Sequence, residues 1–188
     1  VCPTPPPGIL LAFPILAVPV WITPRFQSPG PLVHVPTRAG MHNRRFAILK
    51  FRTMHPHNAD LNRQASDSDE RIYPLGKWFR KMSIDEVPQF WNVLRGEMSI
   101  VGPRPHLVEH NNQFSQLMAN YNVRAFVKPG ITGLAQVRGF RGEARSWQDI
   151  EKRVACDIEY IEKWNLTLEG GIILRTFAQV FAPPRTAY

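Results

Sequence analysis

An adjacent acidic pair, Asp85–Glu86, lies in this chain with Lys77, Arg80 and Lys81 before it and Arg104 after it, in the loop Gly102-Pro103-Arg104-Pro105. Carboxylates among cations are the residue types that chemistry on a phosphate ester needs. A carboxylate can attack phosphorus to give an acyl phosphate, which splits one displacement into two. A divalent cation then offsets the repulsion between two anions, and magnesium suits oxygen ligands. We therefore expect Asp85 and Glu86 as catalytic residues, one of the two attacking phosphorus or binding Mg2+ and the other orienting or polarising. The plain alternative is that acidic residues at a helix start only complement the helix dipole.

The cations have their own logic. Arg104 stands between two prolines, on backbone with few options, which lowers the entropy cost of offering a guanidinium fork to phosphate. Lys50 and Arg52 flank Phe51, so on a strand they share one face and Phe51 takes the other. Two cations on one face are poorly placed against a core. Lys128, Arg138 and Arg141 gather around Pro129-Gly130 and the segment Gln136-Val137-Arg138-Gly139, none of them specific alone.

These residues need elements to hold them. Phe46–Phe51 reads as a short strand. Met54–Glu70 is polar and without periodicity, a surface loop suited to closing over a ligand. A short helix is expected around Leu75–Met82. Ser83-Ile84-Asp85-Glu86 matches the capping box S-x-x-E, which puts the acidic pair in the first turn of a helix carrying Val87, Phe90, Trp91 and Leu94 until Gly96 stops it. Pro88 costs one hydrogen bond if Ser83 is the cap and none if Asp85 is. Met98–Val101 reads as a strand, Leu107–Tyr121 as a helix, Pro129–Gly133 as a turn and Leu134–Val137 as a short strand. Trp147, Ile150, Val154, Ile158 and Ile161 form one face of a long helix, and Ile172–Phe181 a last apolar helix.

The chain has 188 residues and a formal net charge of +8, enough for one domain with a core and a surface suited to anionic partners. Cys2 and Cys156 form neither a zinc spacing nor a disulfide framework. Prolines crowd the start, and VCPTPPP cannot be regular helix. Gly8–Ile22 then runs without a charge but is interrupted by Pro14 and Pro19 and is short for a transmembrane helix. We read it as a re-entrant or interfacial segment kinked at Pro14, with Trp21 and Arg25 at the headgroup level. A buried helix is the plain alternative. Val1 is not an initiator Met, which suggests a piece of a longer protein.

His106-Leu107-Val108-Glu109-His110 fits the H-x-x-E-H zinc pattern. It is rejected because no third ligand is evident at a sensible place downstream. The chain has neither a Walker A loop nor a Rossmann G-x-G-x-x-G.

From Lys50 onward the sequence resembles the bacterial sugar transferases, the monotopic polyprenyl-phosphate phosphoglycosyl transferases. The resemblance rests on ordered blocks: Lys50-Phe51-Arg52-Thr53-Met54, Ser83 through Leu94, Gly96-Glu97-Met98-Ser99, Val101-Gly102-Pro103-Arg104-Pro105, Pro129 through Val137, and Asp157-Ile158-Glu159-Tyr160 with Trp164 and Thr176. It implies transfer of sugar-1-phosphate from a nucleoside diphosphate sugar, usually a UDP-sugar, to undecaprenyl phosphate with release of UMP. It implies Asp85 as nucleophile and as the ligand of a nearby Mg2+, Glu86 as its partner, and Lys50 and Arg104 as phosphate contacts. It also implies a proline-kinked re-entrant helix in the cytoplasmic leaflet, where Gly8–Ile22 stands. The chain departs from the pattern where VCPTPPP replaces hydrophobic helix, where Pro36 replaces a Gln ahead of Arg38 and Gly40, and where Glu169-Gly170 replaces Asp-Leu.

The expected architecture is α/β (α+β), mostly helical with short strands. Residues 1–28 would be a Pro-rich, re-entrant membrane segment and 29–188 a cytoplasmic catalytic domain. The expected substrate-binding residues are Lys50, Arg52, Arg80, Arg104, Gln136 and Arg138. The expected partners are a UDP-sugar, undecaprenyl phosphate and the cytoplasmic leaflet of the bacterial inner membrane, without nucleic acid and with homo-oligomerisation left open. Two rivals come from other classes. A basic nucleic-acid-binding module would bind with a steep salt slope and turn over no UDP-sugar. A catalytically inactive membrane-surface scaffold would bind lipid and leave nucleotide sugars untouched.

Overall fold

A computed structural model describes residues 27–56, 69–141 and 146–182, without the side chains of His110 and Asn112. The Pro-rich start and Gly8–Ile22 lie outside the described residues, as does most of the loop expected over 54–70. Among the described residues, no helix is long and apolar enough to cross a membrane.

The architecture mixes helices with short paired strands. The first strands are β1 (Val33–His34), β2 (Thr37–Ala39), β3 (Arg45–Ala47) and β4 (Lys50–Phe51), with a 3-10 turn at Met41–Asn43 between β2 and β3. β1 pairs antiparallel with β4 and β2 with β3. The single strand expected over 46–51 is therefore broken into β3 and β4. Asn92 is the reason. Fully buried, it accepts from the Leu49 amide at 3.0 Å and donates to the Ala47 carbonyl at 2.8 Å, which takes both groups out of strand pairing.

Helix α1 spans Pro74–Lys81 with proline in its first turn, where the missing N–H is harmless. Ser83 then takes a left-handed φ of 59°, and Ile84–Glu86 forms a 3-10 turn. Helix α2 spans Gln89–Leu94 with Pro88 as its cap. The capping box is not made: the Ser83 side chain caps nothing, because an N-cap needs extended backbone and Ser83 is left-handed. Pro88 has no N–H to continue the i→i−4 ladder. The Glu86 and Val87 amides instead bond three residues back, to Ser83 and Ile84. The acidic pair thus stands on a tight connector between two helices rather than in an α-helical first turn.

Strand β5 (Ser99–Val101) pairs in parallel with β6 (Gly130–Thr132). The connection holds α3 (Val108–Leu117) and a 3-10 helix at Tyr121–Phe126, as a parallel pair requires a long crossover. The segment expected as a turn is thus a strand. The one expected as a strand, Leu134–Val137, is a single helical turn, α4, entered from Gly133. Glycine permits the pairing: a Cβ on Gly130 would lie 2.1 Å from the Gly102 amide nitrogen. Helix α5 (Trp147–Glu162) opens with a true capping box, in which the Ser146 hydroxyl accepts from the Asp149 amide. Helix α6 spans Leu166–Phe181, starting earlier than expected because Asn165 caps it by accepting from the Leu168 amide. The core gathers Val101, Leu134, Ala135, Val137, Cys156, Tyr160 and Ile172, which locks β5 and α4 against α5 and α6.

Candidate active site

Glu86 is the hub. Its Oε1 accepts from Lys50 Nζ at 3.2 Å and from Arg104 Nη2 at 2.8 Å, and its Oε2 accepts from Arg141 Nη2 at 3.3 Å. The carboxylate is 5% exposed, so these cations face it with little water between. Three separate segments meet here: strand β4, the Gly102–Pro105 loop and the stretch after α4. Burial alone would push Glu86 toward its neutral form. Arg104, Lys50 and Arg141 outweigh that and hold it well below the ordinary range for a glutamate. Burial lowers the Lys50 pKa, and Glu86 opposes that shift.

Asp85 differs. Among the described residues its carboxylate accepts no hydrogen bond and makes no ion pair. Burial and the negative charge of Glu86 push its pKa up to about 6, against the pull of Lys50, Arg80 and Arg141. Two neighbouring carboxylates with opposite shifts are a recognisable division of labour. One stays charged and orders the cations around it. The other is poised near neutrality and uncommitted. Ser83, two residues earlier, carries the strained left-handed backbone that sets the turn.

Lys50, Glu86 and Arg104 come together in this cluster. Arg80 donates to the Thr53 hydroxyl at 2.8 Å, and its charge acts on Asp85. Arg52 does not join. Its guanidinium is spent on the Ser28 hydroxyl, the Pro31 carbonyl at 2.6 Å and the Met54 carbonyl at 2.9 Å, in a buried position. Alternation along one continuous strand predicted a face shared by Lys50 and Arg52. The strand ends at Phe51, and Arg52 turns inward to tie residues 28–31 down. Arg138 is paired with Glu159 on α5 at 3.0 Å, and Gln136 is buried with its amide on the Ile131 carbonyl at 3.1 Å. Neither contacts the Glu86 cluster. Arg141 does, and spacing did not single it out from Lys128 and Arg138. Only the fold of the α4 turn brings it across 55 residues to Glu86.

Behind the Gly102–Pro105 loop stands a second buried network. Arg124 donates to Asp157 at 2.7 Å, to the Tyr121 hydroxyl at 3.0 Å and to the Arg104 carbonyl at 2.7 Å. The His106 ring nitrogen meets the Tyr121 hydroxyl at 2.7 Å. His106 is thus engaged in positioning the loop. Among the described residues no group of three His, Cys, Asp or Glu side chains gathers to hold a metal.

A family model described as bacterial sugar transferase matches residues 7–183. The chain belongs to this family. It is 43% identical over 176 residues to the UDP-glucose:undecaprenyl-phosphate glucose-1-phosphate transferase of Xanthomonas campestris pv. campestris, covering 93% of this chain and 36% of that relative. It is 43% identical to the protein of the same name from Escherichia coli K12, over 92% of this chain and 37% of the relative. It is 39% identical to the UDP-N-acetylgalactosamine-undecaprenyl-phosphate N-acetylgalactosaminephosphotransferase of Aeromonas hydrophila, over 83% of this chain and 37% of the relative. The chain thus spans little more than a third of the length of these relatives. In this bacterial sugar transferase Glu86, Lys50, Arg104 and Arg141 meet in one charged cluster beside Asp85.

Proposed function

We propose that this bacterial sugar transferase moves sugar-1-phosphate from a UDP-sugar to undecaprenyl phosphate through a covalent intermediate on Asp85. The observation that carries the proposal is the asymmetry of the acidic pair: Glu86 is saturated by Lys50, Arg104 and Arg141, whereas Asp85 is uncommitted and poised at about 6. The relatives' names supply the substrate class.

Asp85 Oδ attacks the phosphorus that bears the sugar. The bond from that phosphorus to the bridging oxygen breaks, and UMP leaves with the electron pair. An oxygen of undecaprenyl phosphate then attacks the same phosphorus, and the Asp85 carboxylate is expelled intact. Glu86 keeps Lys50 and Arg104 oriented toward the reacting phosphate, so little reorganisation is needed as charge develops.

The residues present fit a magnesium ion in one way. Both Glu86 oxygens are taken by cations, which leaves Asp85 as the protein carboxylate available to it. Magnesium is commonly held by one or two carboxylates, substrate phosphates and water. When bound, it would supply neutralisation of the donor's diphosphate. We place the chain at the cytoplasmic face of the bacterial inner membrane, where undecaprenyl phosphate and UDP-sugars meet. No observation favours the scaffold or nucleic-acid readings.

The test mixes the detergent-purified protein with magnesium, a panel of UDP-sugars and undecaprenyl phosphate, and measures UMP. The expected result is UMP release with at least one sugar, and one equivalent per enzyme when the lipid is left out. Release only in the lipid's presence, with no aspartyl adduct by mass spectrometry, would overturn the covalent route.

A further inference from the structure

We propose that Arg141 is a substrate-contacting residue, which leaves Glu86 to hold the phosphoryl group that is transferred at Asp85. This rests on the reading of the reaction given above.

The placement of Arg141 begins in the sequence. Helix α4 is followed by Arg138-Gly139-Phe140-Arg141. Gly139 has a φ of 93°, a left-handed conformation that glycine takes at no steric cost. Its amide donates to the Gln136 carbonyl at 3.1 Å, and the Phe140 amide reaches back to the Ala135 carbonyl at 3.0 Å. This pair of bonds is a Schellman motif, which ends a helix and redirects the chain. Phe140 then packs against the core. The backbone that leads into Arg141 is thus held by two hydrogen bonds and a partly buried ring.

The guanidinium of Arg141 ends at the acidic pair. Its Nη2 lies 3.3 Å from Glu86 Oε2, whereas Lys50 and Arg104 both bind Oε1, at 3.2 and 2.8 Å. Arg141 therefore meets the carboxylate at the other oxygen from the two cations expected to bind phosphate. Its contact is the longest of the three and uses one donor of the five that a guanidinium carries. Among the described residues, Arg141 makes no other hydrogen bond. Arg124 spends its guanidinium on Asp157, Tyr121 and the Arg104 carbonyl, and Arg138 on Glu159 and Cys156. The Arg141 side chain is 16% exposed, so it is neither sealed in the core nor open to bulk water.

A phosphate is a better partner for it. A guanidinium fork matches two phosphate oxygens at once, which one long bond to a carboxylate does not equal. Charge favours the exchange as well. Glu86 offsets about one of the three positive charges bound to it, so the cluster is net positive before any substrate arrives. Glu86 is not left bare when Arg141 departs, because Oε1 keeps Lys50 and Arg104. The phosphoryl group that Asp85 receives stands beside Glu86 in both half-reactions, first in the donor and then on Asp85. Arg141 holds it in both.

The experiment compares the wild-type chain with Arg141→Met and Arg141→Lys. Calorimetry in magnesium measures binding of uridine, UMP and UDP, which differ by one phosphoryl group at each step. Rapid quench measures the UMP burst from UDP-sugar without lipid, and then the discharge of the Asp85 adduct when undecaprenyl phosphate is added. Arg141→Met should weaken UDP by ~10-fold or more, leave uridine and UMP unchanged, and slow both half-reactions by ~10-fold or more. Arg141→Lys should recover part of the UDP affinity but not the burst rate. Tm should hold, because Glu86 keeps two cations. A merely structural role, steadying Glu86, would lower Tm and leave UDP affinity at the wild-type value, and that result would overturn the proposal. Equal losses for UMP and UDP would overturn it too. Should Arg141→Met not fold, wild-type UDP affinity and burst rate in Arg141→Lys would overturn it. If the wild-type chain binds UDP but releases UMP from no UDP-sugar, the reaction assigned above fails, and the comparison of UDP with UMP still decides what Arg141 touches.

Discussion

Asp157 Oδ2 accepts from Arg124 Nε at 2.7 Å, and both side chains are buried, at 3% and 8% exposure. Through the Arg104 carbonyl, the same guanidinium fixes the loop whose side chain reaches Glu86. The ion pair therefore acts as a strut between helix α5 and the charged cluster. Removing one partner leaves the other charge buried and uncompensated, which is the costly way to break such a pair. Asp157→Asn should lower stability by about 3–5 kcal/mol in denaturant unfolding. It should also lower kcat more than it raises KM, because Arg104 loses its setting.

Asp85→Asn should reduce UMP release by at least about three orders of magnitude, since the amide is no nucleophile. UMP release at the wild-type rate would remove Asp85 from that role. The same variant should be more stable than wild type at pH 7.5. The folded pKa of Asp85, about 6, lies above its ordinary 3.8, so folding binds its proton more tightly. That contribution is full below about pH 4 and is lost as pH rises through about 6. Above it, the charged carboxylate opposes folding, and the neutral amide relieves this. Thermal melts at pH 4 and pH 7.5 should show the gain only at the higher pH.

In activity, the sign runs the other way. Asp85 attacks as the carboxylate, so kcat/KM should rise with pH through about 6 and then level off. Glu86, held low by its cations, should stay ionised across that limb. Carboxyl chemical shifts in the magnesium-free protein would assign the titration to Asp85. A flat profile between pH 5 and 7 would contradict it.

Glu86→Gln should hurt stability as well as turnover. It leaves Lys50, Arg104 and Arg141 facing one another without their shared anion. The expected loss is about 2 kcal/mol or more, moderated by the partial exposure of the cations, and should shrink in high salt. Urea unfolding at two ionic strengths would check this.

Gly130→Ala should be poorly tolerated. Its Cβ would fall 2.1 Å from the Gly102 nitrogen and 2.4 Å from the Thr132 carbonyl oxygen, both backbone atoms that cannot step aside. We expect a loss of about 2–3 kcal/mol. Gly170→Ala on α6 meets nothing within 4 Å and should be neutral or slightly stabilising, as helix propensity favours alanine. Paired melts of the two variants would separate crowding from glycine loss.

By itself, the sequence marked several residues that meet in the candidate site, and most of the helices. Asp85 and Glu86 were legible as an adjacent acidic pair among cations, Arg104 as a guanidinium held between two prolines, and Lys50 as a cation on a short strand. Helices over 74–81 and 147–162 were legible from apolar spacing and turn residues. Only the tertiary structure decided the rest, because it depended on partners far away in the chain. Asn92 split the expected strand by taking the backbone groups of Ala47 and Leu49. Ser83 could not cap once its backbone turned left-handed, and β6 became a strand because β5 lay beside it. Arg52 faced inward because Ser28 and Pro31 offered it acceptors, while Arg141 reached Glu86 across the fold. Charge and periodicity are local properties that a sequence displays. The partner that satisfies a given charge is set by which segments pack together, and no short window of residues contains that information.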